Sequence, residues 1–147
     1  MKVSTKGQYG TRLLLDLAMH LDEERVLLRD IASRQDISLF YLERIIAPLV
    51  AAGIVRTTRG PKGGISLAKP PEQINLSEVI QLLEGSTAPV ECVNDPAVCN
   101  RSDMCATRDI WGELKKQTDS MLESITIHDL VERQKQKFKA EKPMYFI

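Results

Sequence analysis

The stretch Asp36-Ile37-Ser38-Leu39-Phe40-Tyr41-Leu42-Glu43-Arg44-Ile45-Ile46-Ala47-Pro48-Leu49-Val50-Ala51-Ala52-Gly53 decides the fold. Asp36-Ile37-Ser38 reads as a tight turn. Ser38 is a good N-cap, because its hydroxyl accepts from a free N–H of the first helical turn. Leu42, Ile45, Ile46, Leu49 and Val50 then follow the i, i+3, i+4, i+7, i+8 rule that gathers apolar side chains on one helix face. Gly53 supplies the stop. Pro48 lacks a backbone donor and predicts a kink after the first turns.

Working outward, Leu28 to Gln35 is a short helix with Leu28, Ile31 and Ala32 inward. Before it, residues 9 to 21 place Tyr9, Leu13, Leu14, Leu17, Ala18 and Leu21 on one stripe, with Arg12, Asp16 and His20 off it. After Gly53, Ile54–Thr57 and Ile65–Leu67 are short strand candidates joined by the turn-rich Thr58-Arg59-Gly60-Pro61-Lys62-Gly63-Gly64. A short helix, a tight turn, a capped second helix and a two-stranded ribbon describe a winged helix-turn-helix. Its second helix enters the major groove and its ribbon follows the adjacent minor groove. The fold class expected is therefore mainly α with a small β-wing, extended by a long dimerisation helix.

The non-core face of the second helix presents Phe40 and Arg44, flanked by Tyr41 and Glu43. Phe40 suits a thymine methyl, Glu43 a cytosine amino group, and Arg44 guanine or phosphate. Ser38 and Tyr41 are phosphate contacts. In the ribbon, Arg59 is placed to enter a narrow, negative minor groove. Gly60 allows close backbone approach, and Lys62 adds a cation to the same turn.

Beyond the ribbon, Asn75 and Glu78 form a capping box for a helix to about Glu84. A loop from Gly85 to about Asp103 follows, then a long helix from near Cys105 to about Ser124. On it Trp111, Leu114, Thr118, Met121 and Ile125 are spaced 3, 4, 3, 4, the rhythm of a coiled-coil seam, and are assigned to a homodimer interface. Thr126 opens a last helix that fades into a Lys-rich tail from Lys135. The division expected is a DNA-binding domain over 1–84, a cysteine loop over 85–104, a dimerisation and C-terminal helix region over 105–140, and a tail over 141–147.

With 147 residues, 43% hydrophobic and 27% charged, the chain is globular. Its longest charge-free apolar run, Ile45 to Val55, is too short to span a membrane. The start of the chain has no apolar core of a signal peptide, so a cytoplasmic, reducing setting is expected. The 20 basic and 20 acidic residues balance, which by itself argues against a nucleic-acid partner. Segment by segment the balance dissolves. Residues 1–69 carry 11 basic and 7 acidic side chains, whereas residues 70–109 carry 2 and 7. A basic head precedes an acidic block that holds all three cysteines.

Cys92, Cys99 and Cys105 are separated by six and five residues, and the last stands at a helix N-terminus, where thiolate is favoured. The spacing is not that of paired zinc ligands. It suits an iron–sulfur cluster with its fourth ligand elsewhere, and it leaves redox thiols and inert thiols open. No Ser/His/Asp set, phosphate loop or facing carboxylate pair is evident, so no enzyme is expected.

Ser4-Thr5-Lys6-Gly7-Gln8-Tyr9-Gly10, Ile37-Ser38 with Tyr41-Leu42-Glu43, Ala52-Gly53-Ile54-Val55, Arg59-Gly60-Pro61-Lys62-Gly63-Gly64, the spaced cysteines and Ile125-Thr126 with Leu130-Val131 together resemble the IscR-type iron–sulfur cluster regulators. That bacterial family also holds nitric-oxide-sensing, iron-responsive and cysteine-metabolism repressors. The likeness runs from residue 2 to about residue 136. It implies a dimeric winged-helix transcription factor, with DNA contacts at residues 40, 41, 43 and 44, Thr57 and Arg59. It also implies a cluster on Cys92, Cys99 and Cys105, 2Fe–2S in the IscR-like branch and 4Fe–4S in the nitric-oxide branch. The implied targets are genes of cluster biogenesis or of iron, sulfur and redox metabolism. One departure stands out. The IscR-like fourth ligand, a histidine three residues after the third cysteine, is Arg108 here, and the acidic residue of the nitric-oxide branch is Gln8. Glu91, Asp95, Asp103, Asp109 and His128 are the remaining candidates. A weakly held cluster, absent after conventional purification, is the expectation.

Overall fold

Ser4 caps helix α1 (Thr5–Met19) by accepting from the Gly7 N–H at 3.3 Å, so the helix begins a turn ahead of the apolar stripe that signals it. Leu13, Leu14 and Leu17 are buried, whereas Leu21 lies past the helix end and is exposed. The computed structural model describes residues 2–141; the tail expected beyond Glu141 lies outside them. Helix α2 (Leu28–Gln35) buries Ile31 and Ala32. Asp36 closes it in the left-handed region (φ 53°), which redirects the chain within the tight turn. Ser38 then caps α3 (Leu39–Ala51), accepting from the Tyr41 N–H at 3.1 Å. Leu42, Ile45 and Leu49 form the buried face. The helix continues through Pro48 to Ala51.

Strands β1 (Val55–Thr58) and β2 (Gly64–Leu67) pair antiparallel, with Val55 opposite Leu67 and Thr58 opposite Gly64. A further backbone pairing was not legible in the sequence: Val26, between α1 and α2, bridges to Ile65. Helix α4 (Leu76–Glu84) is capped by Asn75, which accepts from Ser77 N–H at 2.8 Å. Glu78 does not complete the expected box, because Lys69 holds its carboxylate at 3.1 Å.

The segment expected as open loop forms three short helical turns, α5 (Glu91–Asn94), Pro96–Val98 and Ser102–Met104. The buried Ser102 hydroxyl bridges two of them, lying 2.8 Å from Pro96 O and 2.9 Å from Cys99 O. Helix α6 (Ala106–Glu123) follows and buries none of its residues. Helix α7 (Ile127–Glu141) opens with a reciprocal cap in which Thr126 N–H donates to Asp129 and Asp129 N–H to Thr126 Oγ1. It continues past Lys135, where a tail was expected. Ile127 and Val131 join the same core as Leu13, Ile31, Leu42, Ile54 and Val79, so α7 packs onto the head.

Candidate nucleic-acid interface and cysteine loop

The scaffold beneath the reading surface centres on Asp16, 3% exposed. Arg34 donates from Nε and a terminal nitrogen to its two oxygens, and Gln35 Nε2 adds a bond at 2.8 Å. Hydrogen bonding to Asp16 raises the Arg34 pKa above its ordinary value. The His20 ring sits on the Asp16 carbonyl at 2.7 Å. Arg12 reaches both the side chain and the backbone oxygen of Gln35. Four polar side chains, Arg12, Asp16, Arg34 and Gln35, thus lock α1 to the end of α2, which fixes where α3 starts. Asp16 stands off the apolar stripe in the sequence, and nothing local announces that it is buried.

On this scaffold the expected contact residues lie outward. Phe40 is 69% exposed, and Glu43, Arg44, Thr57, Arg59, Gly60 and Lys62 are all exposed. Tyr41 is half-buried, its ring edge-on to Tyr9 with centroids 5.5 Å apart. Ser38 Oγ serves the α3 cap as an acceptor, which leaves its hydroxyl proton free to donate. Among the described residues, Arg44, Arg56, Arg59 and Lys62 enter no ion pair. Four uncommitted cations beside an exposed aromatic at the start of a helix form a surface suited to a polyanion.

The wing is tightly built. A Cβ on Gly63 would stand 2.1 Å from Thr58 O, and one on Gly64 would stand 2.5 Å from Val26 O. Only glycine lets these backbones approach so closely.

The cysteine loop is organised differently. Cys92 and Cys105 are half-buried, Cys99 is exposed, and all three are free thiols. The Thr107 hydroxyl, 3.1 Å away, and the N–H groups opening α6 hold the Cys105 thiol below its ordinary pKa. Arg108, at the position of the fourth ligand expected from the IscR-like branch, donates to Cys92 O at 2.8 Å and ties α5 to α6. Among the described residues, no three His, Cys, Asp or Glu side chains lie close enough together to hold a metal ion. Three soft thiols in one loop are the right donors for an iron–sulfur cluster, but the loop as folded does not gather them.

The candidate fourth ligands scatter. Asp95 caps the Pro96–Val98 turn, while Glu91, Asp103 and Asp109 are exposed. Gln8 donates to Val3 O. His128 is on α7, paired with Glu72 at 3.3 Å.

Along α6, Trp111 and Met121 are exposed and Leu114 and Thr118 half-buried. Ile110, also exposed, adds to that apolar surface and was missed because it falls outside the 3, 4 rhythm. Ile125 does not belong to this surface. It lies past the helix end, is 6% exposed, and its carbonyl accepts from Leu76 N–H at 2.8 Å.

A winged helix-turn-helix with an uncommitted cationic surface defines a DNA-binding regulator class. Comparison with known proteins agrees: the family model described as Rrf2, iron-dependent transcriptional regulator, matches residues 3–133. The chain belongs to the Rrf2 family. It is 45% identical to the rrf2 protein of Nitratidesulfovibrio vulgaris over 131 residues, 89% of this chain and 87% of the relative. Among solved structures, it resembles the IscR of T. potens with a TM-score of 0.77 and 36% identity, covering 99% of this chain and 94% of that one. It resembles CymR, the global cysteine regulator of B. subtilis, equally well, with a TM-score of 0.77, 34% identity and coverage of 90% and 98%. No described helix is long and apolar enough to cross a membrane.

Proposed function

We propose that this protein is a cytoplasmic homodimeric regulator that reads operator DNA with α3 and the wing, and whose DNA binding is controlled by an iron–sulfur cluster on Cys92, Cys99 and Cys105. Phe40, Glu43 and Arg44 read base edges, Ser38, Tyr41, Thr57 and Lys62 meet the backbone, and Arg59 enters the minor groove beside Gly60. The observation that carries the DNA reading is the exposed set of Arg44, Arg56, Arg59 and Lys62, in no ion pair among the described residues and presented by α3 and the wing. The apolar strip of Ile110, Trp111, Leu114 and Met121 supports pairing of two copies along α6. Two recognition helices must then meet half-sites about 34 Å apart.

Of the two cluster types, 2Fe–2S is favoured over 4Fe–4S. Cys92, Cys99 and Cys105 would hold the cluster, which would supply a redox-active, labile charge in the loop that leads into α6. The likeness to the IscR-type regulators supports target genes of cluster biogenesis or of iron, sulfur and redox metabolism. The test compares operator affinity and site preference of anaerobically prepared protein with a triple Cys→Ala variant. Equal values for both would sink cluster control while leaving DNA binding intact.

A second reading has its own observation. The thiols are not gathered, Cys99 is exposed, and the structural likeness to CymR equals that to IscR. A cluster-free repressor of cysteine or sulfur metabolism, controlled by thiol oxidation or by a partner protein, fits these facts. Iron and acid-labile sulfide analysis of anaerobically purified protein separates the two, since an iron-free, colourless sample supports the second reading.

A further inference from the structure

We infer that Arg25, in the linker between α1 and α2, is a positioning residue for DNA reading that fixes the wing so that Arg59 is presented to the minor groove. This rests on the assignment of Arg59 as a minor-groove contact. Each strand of the wing has four residues, and Arg56, Thr57, Thr58 and Arg59 are exposed. A two-stranded ribbon of this size is marginal by itself in water, so its direction must be set by something outside it.

The linker does this at three adjacent points. Arg25 Nε donates to Gly63 O at 2.5 Å. Ile65 N–H donates to Val26 O at 2.8 Å. Gly64 lies so close under the linker that a Cβ there would come within 3.4 Å of Arg25 Cγ as well as 2.5 Å of Val26 O. The Ile65–Val26 bond uses backbone that any residue supplies and the Gly64 approach needs only glycine, whereas the bond to Gly63 O depends on the Arg25 side chain.

Gly63 is also the residue whose N–H closes the turn onto Gly60 O at 2.8 Å, with Gly60 at φ +101°. The carbonyl that Arg25 grips thus belongs to the residue that shapes the Arg59–Gly60 tip. Among the described residues Arg25 is in no ion pair, although Glu23 and Glu24 immediately precede it in sequence. Its guanidinium is directed to the wing. A wing held in place before binding avoids the ordering cost of immobilising it on DNA.

The experiment is a double-mutant cycle in the full chain, with operator titrations at one fixed salt concentration for Arg25→Ala, Arg59→Ala and the pair. Hydroxyl-radical footprints and thermal melts accompany each variant. Arg59→Ala weakens specific binding about tenfold or more. Arg25→Ala weakens it about fivefold, and the pair is no more than about twofold weaker than Arg59→Ala alone, because one side chain acts through the other. Minor-groove protection fades in Arg25→Ala while major-groove protection stays, a signature that general destabilisation does not produce.

Additive losses would overturn the positioning role and make Arg25 an independent DNA contact, with the assignment of Arg59 intact. Uniform loss of all protection together with a lowered melting temperature would overturn it in favour of a purely structural role. If Arg59→Ala has no effect, the wing assignment itself fails and the Arg25 inference with it.

Discussion

The head and the cysteine arm answer the same sequence signals in opposite ways. In the head, apolar residues at helical spacing turn inward, and Leu13, Leu42, Leu49, Ile54 and Val79 are fully buried within one chain. In the arm, α6 has an equally regular spacing and buries nothing, while Met104, Ile110, Trp111 and Met121 face outward. The head is completed by its own chain. The arm leaves apolar side chains exposed and its thiols ungathered, the surface on which the proposed pairing and cluster binding rest. Stability should therefore sit in the head and conditional behaviour in the arm.

The sharpest way to break this contrast is a pair of truncations. Leu42→Ala removes a wholly buried side chain and should cost about 2–5 kcal/mol in denaturant unfolding. Met121→Ala should change the unfolding of the single chain far less, yet shift sedimentation towards monomer. A comparable loss of chain stability for both would erase the distinction.

Next in size is Asp16→Ala, expected to cost about 1–3 kcal/mol because it strips Arg34 and Gln35 of their shared acceptor. Arg34 is about one-third exposed, so solvent tempers the loss. Operator affinity should fall with it, since α3 is set by this network.

Smaller again is the α7 cap: Thr126→Ala should cost about 0.5–2 kcal/mol. Its partner supplies a pH test. Hydrogen bonds from the Thr126 N–H and hydroxyl environment hold Asp129 below the usual carboxylate pKa. That stability is present above the unfolded-state carboxylate pKa and is lost as pH falls through the lower folded value. Melting temperature measured from pH 6 downwards should drop less steeply in Asp129→Asn than in the parent. The smallest effect is expected from Cys99→Ser, within about 0.5 kcal/mol of the parent in the apo chain, because Cys99 is exposed.

Much of the head was legible residue by residue. Ser38 as cap, Asp36 in the turn and Leu42, Ile45 and Leu49 as the inward face all follow from hydrogen-bond donors and spacing within a few positions. So did the ribbon, whose glycines mark backbone too crowded for a side chain. The outward position of Phe40 and Arg44, the proposed contacts, was legible because they lie opposite the inward face. The linker was not: Val26 pairs with Ile65 across 39 positions, and Arg25 reaches Gly63 across 38. The capping box at Asn75 looked complete in the sequence, but Lys69 competes for Glu78. The box at Thr126 is the one that closes, with Asp129 as its acid.

By itself, then, the sequence determined the helix-turn-helix, the wing, the long helix and the presence of three thiols in one acidic segment. These depend on caps, periodicity and turn chemistry, which act over one or two turns of chain. Only the tertiary structure decided that Asp16 and Ile125 are buried, so that Ile125 leaves the exposed apolar strip of α6, that α7 closes over the head, and that the thiols are not gathered. Each of those depends on which distant surfaces meet, and burial and pairing are properties of the meeting, not of either strand of sequence alone.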